Sequence, residues 1–110
     1  MDDGSPPAPS TPTDLSRAHA QTQRLAANIA QGFHHAGYQR GGGYCTFNGL
    51  ALVAQEFPDK RVFVLDCDEH GGNGTEEFTH RLPNLFNFSI NGTSFGMRGG
   101  ERSICRTVKP

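Results

Sequence analysis

The run Asp66-Cys67-Asp68-Glu69-His70 sets two carboxylates and an imidazole at alternate positions. Along extended chain, residues i, i+2 and i+4 point to one side. Asp66, Asp68 and His70 can thus converge, and carboxylate oxygens and imidazole nitrogens are good zinc ligands at about 2.0–2.2 Å. The same pattern also suits a solvated acidic strand end with a surface histidine. A second feature is the adjacent pair His34-His35, set in a glycine-punctuated stretch. Such a pair suits general bases, metal ligands or polar loop residues. An imidazole becomes a useful base when a partner holds its other ring nitrogen, and Asp66 and Asn73 are the available partners. His19 and His80 read as surface residues of helices.

Other chemistries are excluded. The glycine clusters 41–43 and 71–74 complete neither G-x-x-x-x-G-K-[ST] nor G-x-G-x-x-G, so they read as sharp turns or close backbone approaches rather than phosphate loops. The cysteines are Cys45, Cys67 and Cys105, an odd number without a C-x-x-C pair. A cysteine zinc site is therefore not expected, and Cys45 and Cys67 read as small buried hydrophobes. Ten Lys and Arg stand against eleven Asp and Glu, a net charge of −1. No basic excess points to nucleic acid or an anionic membrane as a partner. The longest apolar runs, such as 62–65, fall far short of the roughly 18–20 residues of a membrane span. Residues 1–13 are acidic and proline-rich, without the basic and apolar regions of a signal peptide. They read as a disordered lead-in to a cytoplasmic protein.

The elements that must position these groups follow from periodicity. A chain of 110 residues has room for one domain. Thr13 or Asp14 can cap a helix over 14–25, on which Leu15, Ala18, Thr22 and Leu25 fall at helical spacing. The apolar stretch 26–30 either extends that helix or forms a short buried strand. Phe47, Leu50, Ala51 and Ala54 share one helical face, which predicts a helix over 48–56 stopped before Pro58. The stretch 61–68 predicts a strand whose continuous apolar run implies cover on both faces, and therefore a central place in a parallel sheet. Thr75 can cap a short helix over 76–80. A second strand is predicted over 85–90, parallel to the first, and another over 103–108 within an otherwise loop-like end. Alternating helices and strands indicate an α/β class with a parallel sheet, whose ligands bind beyond the carboxyl ends of the strands.

FHHA at 33–36, GGYCTFNGLALVA at 42–54 and RVFVLDCDEHGGNGTEEF at 61–78 together resemble the zinc-dependent histone deacetylase and acetoin-utilisation family. The resemblance covers about 26–90. It implies an arginase-like fold, a parallel sheet flanked by helices with zinc at the strand ends. It further implies that Asp68 and His70 are two of three zinc ligands. His34 and His35 are the tandem histidines facing the metal-bound water, oriented by Asp66 and Asn73 respectively. Gly43 lies beside the substrate, and Tyr44 stands where a phenylalanine usually walls the acyl channel. A potassium site is implied at Asp66, Asp68, His70, Ser89 and Ile90. The implied substrate is acetylated lysine or a small acylated amine. Gly71 departs from the histidine or glutamine common at its position. The third ligand, an aspartate, and a transition-state tyrosine are implied further downstream, and 91–110 contain neither residue type. Residues 14–110 are accordingly expected to be part of a deacetylase domain, inactive alone. The alternative is a catalytically incomplete module that binds metal or a partner.

Overall fold

The computed structural model describes residues 24–109, which fall in two units divided after Gln31. In the first unit, residues 24–31 form neither helix nor strand, and Leu25 and Ile29 are exposed. The stretch 26–30 is thus neither the helix extension nor the buried strand expected of it. The helix expected over 14–25 lies outside the described residues except at its last two positions, and the lead-in 1–13 and His19 lie wholly outside them.

The second unit runs in the order α1 (Gly49–Glu56), β1 (Val62–Asp66), α2 (Asn73–Thr79), β2 (Leu85–Asn91) and β3 (Ser103–Thr107). The three strands form one parallel sheet in the order β1-β2-β3. Val62 pairs with Leu85 and Asp66 with Ser89, while Ser89 pairs with Cys105 on the other side. This is the α/β architecture expected, with one correction. β2, not β1, is the central strand of the three. On β1, Phe63 and Leu65 are 64% and 60% exposed, while Val64 between them is buried. Among the described residues the helices cover only the face that carries Val64, so an apolar run that suggested two covered faces has one there. No helix among the described residues is long and apolar enough to cross a membrane.

The core is small. Ala54 of α1, Val64 of β1 and Leu85 of β2 meet in it, with Leu50, Val62, Phe78 and Leu82 packed around them. Phe47, expected on the same helical face, precedes α1 and is exposed. Asn84 joins the layers: its Nδ2 donates to the carbonyls of Ala54, Phe57 and Lys60 at 2.8–3.0 Å. That bond set ties the end of α1 to the start of β2.

The two helices begin in different ways. α1 starts one residue after the expected 48–56, with Asn48 as its cap: Asn48 takes extended backbone and its Oδ1 accepts from Leu50 N and Ala51 N at 3.1 and 3.0 Å. Such a cap satisfies backbone donors that the helix itself leaves unpaired. α2 starts three residues earlier than the expected 76–80, with Gly72 at the cap position and no side chain capping it. Thr75 lies inside the helix, fully buried. The carbonyl of His34 takes the capping role, accepting from Gly74 N at 2.9 Å and Thr75 N at 3.1 Å. A cap supplied by backbone some forty positions away leaves no local sequence signal.

The one-sided core generates a contrast. Leu85→Ala removes a fully buried side chain and should cost roughly 2–5 kcal/mol. Leu65→Ala, on the open face, should stay within about 0.5 kcal/mol. Urea midpoints of the two variants measure the difference.

Candidate active site

The histidine pair occupies the centre of a tight turn closed by Ala36 N donating to Phe33 O at 3.1 Å, with Phe33 at φ 60°. Each ring is held by a different element. His34 Nδ1 lies 2.5 Å from Asp66 Oδ2 at the end of β1, and His35 Nδ1 lies 2.7 Å from Asn73 Oδ1 at the start of α2. The rings themselves are 4.0 Å apart. The remaining two members sit beyond the strand end. His34 Nε2 and His70 Nδ1 are each 3.7 Å from Asp68 Oδ2. Asp66 Oδ1 accepts from Asp68 N at 3.0 Å, and Asp68 Oδ2 accepts from His70 N at 2.8 Å, which shapes the turn leaving β1. The structure therefore brings His34, His35, Asp66, Asp68, His70 and Asn73 together at the carboxyl end of the sheet. Asp66 is buried, while Asp68 and His70 keep about half their side-chain surface.

Gly43 and Tyr44 are the central residues of a hairpin turn, bounded by reciprocal bonds between Gly42 and Cys45 at 3.0 and 2.7 Å. Both have positive φ, 50° and 63°, the signature of a type I′ turn. A Cβ on Gly43 would stand 2.3 Å from His35 Cδ2, so this turn packs its glycine directly on the imidazole. Tyr44 is fully exposed beside it. Ser89 is buried next to Asp66 in the sheet register, its Oγ accepting from Asn91 Nδ2 at 2.9 Å, and Ile90 follows it on β2. Cys45 is buried as expected, but Cys67 is exposed. Its neighbours Asp66 and Asp68 take the positions facing the site, and the alternating chain sends the thiol the other way.

Several contributors are invisible to motif reading. Phe95, from the loop between β2 and β3, stands 4.2 Å from the His35 ring and 5.4 Å from the His70 ring. Buried Glu76 holds that loop: its carboxylate accepts from Arg98 N, Gly99 N and Ser103 Oγ at 2.8–3.0 Å. A Cβ on Gly74 would meet Ala36 O at 2.3 Å, so this glycine serves close approach of α2 to the histidine turn. The glycine-rich composition of 71–74 hinted at such an approach, but its target was a chain segment rather than a ligand.

Two of these donors fit a zinc ion's ligand shell. Two ligands at about 2.1 Å from a tetrahedral ion stand about 3.4 Å apart. Asp68 Oδ2 and His70 Nδ1, 3.7 Å apart, match two such positions. Among the described residues no group of three His, Cys, Asp or Glu side chains is placed to hold an ion. The donor set is thus two-thirds of the three protein ligands that a catalytic zinc usually takes.

Charge in the site is concentrated on one pair. The hydrogen bond to Asp66 raises the pKa of His34 above its usual 6.5; burial opposes this, and the charges of Asp66 and Asp68 add to it. Burial alone would raise Asp66. The His34 hydrogen bond, the Asp68 N–H and the charges of the two histidines outweigh it and hold the carboxyl below its usual 3.8. The raised histidine supports the fold fully below pH 6.5, and that support fades as pH climbs through its raised value. The depressed carboxylate supports the fold fully above pH 3.8, and that support fades as pH falls through its lowered value. In the metal-free chain, Asp66→Asn should return the His34 titration toward 6.5, followed by NMR of the ring protons. It should also flatten the decline in urea midpoint above that pH.

A family model for the histone deacetylase domain matches residues 12–103, a longer stretch than the motifs alone span. Acetylpolyamine amidohydrolase 1 of Pseudomonas aeruginosa is 44% identical over 62 residues, 54% of this chain and 18% of that protein. Histone deacetylase clr3 of Schizosaccharomyces pombe is 37% identical over 76 residues, 64% of this chain and 11% of that protein. Histone deacetylase 2 of Arabidopsis thaliana is 38% identical over 68 residues, 58% of this chain and 18% of that protein. The chain thus spans less than a fifth of each of these relatives. With a match over most of its length and a parallel α/β fold, the chain belongs to the histone deacetylase domain family.

Proposed function

We propose that this chain supplies the proton-transfer groups and two metal ligands of a zinc-dependent amide hydrolase acting on acetyl-lysine or a small acetylated amine. One observation carries the reading: each histidine of the pair is engaged through Nδ1 by a different partner, Asp66 for His34 and Asn73 for His35. Nε2 of each ring is then the nitrogen left to exchange a proton with water or substrate. Holding the far nitrogen fixes tautomer and orientation, as a positioned acid or base requires.

The two partners differ in charge, and that divides the labour. Asp66 sets a full negative charge against His34, so this ring more readily holds a second proton and suits delivery to the leaving amine. Asn73 offers His35 only an amide dipole. With its Nδ1 proton given to that oxygen, His35 presents an Nε2 lone pair suited to taking a proton from water. Asp68 and His70 would hold the zinc, and a bound zinc polarises the amide carbonyl and acidifies its water. Gly43 and Tyr44 would border the acyl group, the glycine lying against His35. Ser89 and Ile90, beside Asp66, belong to the same reading as donors to a structural potassium.

A second reading, an incomplete module that binds metal without turnover, is favoured by the two-ligand donor set among the described residues. Zinc content of the purified chain by elemental analysis, against His70→Ala, tests the metal half. The variant should bind at least about 10-fold more weakly, the lower bound typical of losing even a supporting partner. Turnover of an acetyl-lysine peptide and an N-acetylated polyamine tests the rest. The chain alone should stay at background. Mixed with the remaining segment of an acetylpolyamine amidohydrolase domain, it should give chelator-sensitive activity that His35→Ala lowers roughly 100-fold or more. Robust chelator-sensitive turnover by the chain alone would reject the incomplete-site reading. Complemented activity indifferent to His35→Ala would reject the role given to the pair.

A further inference from the structure

The turn that presents His34 and His35 is gripped through its backbone as well as its rings, and one side chain joins that grip to both helices. Asn48 is buried and uses its whole hydrogen-bonding capacity: Oδ1 accepts from Leu50 N and Ala51 N, and Nδ2 donates to Ala36 O and Thr75 Oγ1, both at 3.1 Å. An asparagine amide has two acceptor sites and two donors, so nothing is left over. The four bonds reach three elements: the first turn of α1, the residue that follows the histidine pair, and fully buried Thr75 of α2. The turn is held on its other side by His34 O, which accepts from Gly74 N and Thr75 N. Both of its backbone anchors therefore converge on the first turn of α2, the element that also carries Asn73.

We propose that Asn48 is a positioning residue: by tying Ala36 O and Thr75 to the start of α1, it holds the histidine turn where Asp66 and Asn73 can each take one ring. Two adjacent residues in a turn cannot be re-aimed independently. A small slide of the turn relative to α2 lengthens the His35–Asn73 bond, and a slide relative to β1 lengthens the His34–Asp66 bond. Side-chain bonds of 2.5 and 2.7 Å tolerate little of either before they weaken steeply. Capping of α1 alone does not need asparagine, since serine and aspartate cap equally well. What neither offers is an N–H donor toward Ala36 O together with the cap acceptor. The role stands whether or not the site hydrolyses amides, because it concerns only the two ring bonds.

The test uses the 110-residue chain, metal-free, with ring nitrogens labelled. In the parent chain both imidazole Nδ1–H signals should be visible and slow to exchange with water. Asn48→Asp keeps the cap and removes both donors, with a charge added, and Asn48→Ser keeps the cap and replaces the amide N–H pair with one shorter hydroxyl. In whichever of these folds, shown by retained amide dispersion and protection of α1, both Nδ1–H signals should be lost, with the rings showing a mixture of tautomers. Persistence of both signals in either folded variant overturns the proposal. Unfolding of both variants also overturns it, since Asn48 would then serve folding as a whole. Neither zinc nor turnover enters the readout, so a failure here is distinct from a failure of the hydrolase reading.

Discussion

A single backbone carbonyl, that of His34, links the chemistry of this chain to its fold. It takes the two helical N–H groups at the start of α2 that no side chain caps. Unpaired buried donors of this kind cost about 1–3 kcal/mol each, so α2 in this position depends on the histidine turn being there. The dependence also runs the other way. With its carbonyl committed to α2, His34 can aim its ring at only one place, and Asp66 at the end of β1 occupies it. Removing that contact would unseat a helix and misdirect a ring together.

Around this joint the sheet is unusually polar on its covered face. Asn87, Ser89 and Asn91 of β2 are buried there beside Ser103 of β3, where a strand between helices would ordinarily carry valine or leucine. Most of the groups satisfy one another: Asn91 Nδ2 donates to Ser89 Oγ, Thr107 Oγ1 to Asn91 Oδ1, Ser103 Oγ to Glu76 and Asn87 Nδ2 to Ser103 Oγ, while Asn87 Oδ1 is buried without a partner. Glu76 in turn anchors the loop that lays Phe95 over two of the histidines. Among the described residues the hydrophobic cluster lies in one corner, around Leu85, and hydrogen bonding organises much of the rest of the interior.

How much of this was legible in the residues depends on the range of the interaction. Strands β1 and β2 could be placed from their apolar runs and helix α1 from its periodicity, because those signals are local, while β3 showed only as a short strand in a loop-like end. The start of α2 could not, since its cap comes from a carbonyl near residue 34 and every residue has a carbonyl. The rank of β1 in the sheet was misjudged because an apolar run reports what a face could bury, not what covers it. At the site, alternation alone brought Asp66, Asp68 and His70 to one side. Which histidine faces Asp66 and which faces Asn73 came only from the family resemblance, and the geometry agrees with that pairing. Glu76, Phe95 and the four bonds of Asn48 left no trace, because their partners are backbone atoms or rings distant in the chain.

The span of the contacts between the histidine turn and its supports has a kinetic consequence. His34 reaches Asp66 across 32 positions and His35 reaches Asn73 across 38, whereas β1 and β2 pair across a compact crossover. Closing the longer loops adds entropy cost with few apolar contacts to offset it, so the sheet can consolidate before the turn and the α2 start that it caps. Contacts made after the folding barrier act mainly on the rate of opening. Opening of the histidine turn would therefore uncap α2 and cost the site its aim in one event, with the β1–β2 pairing left in place.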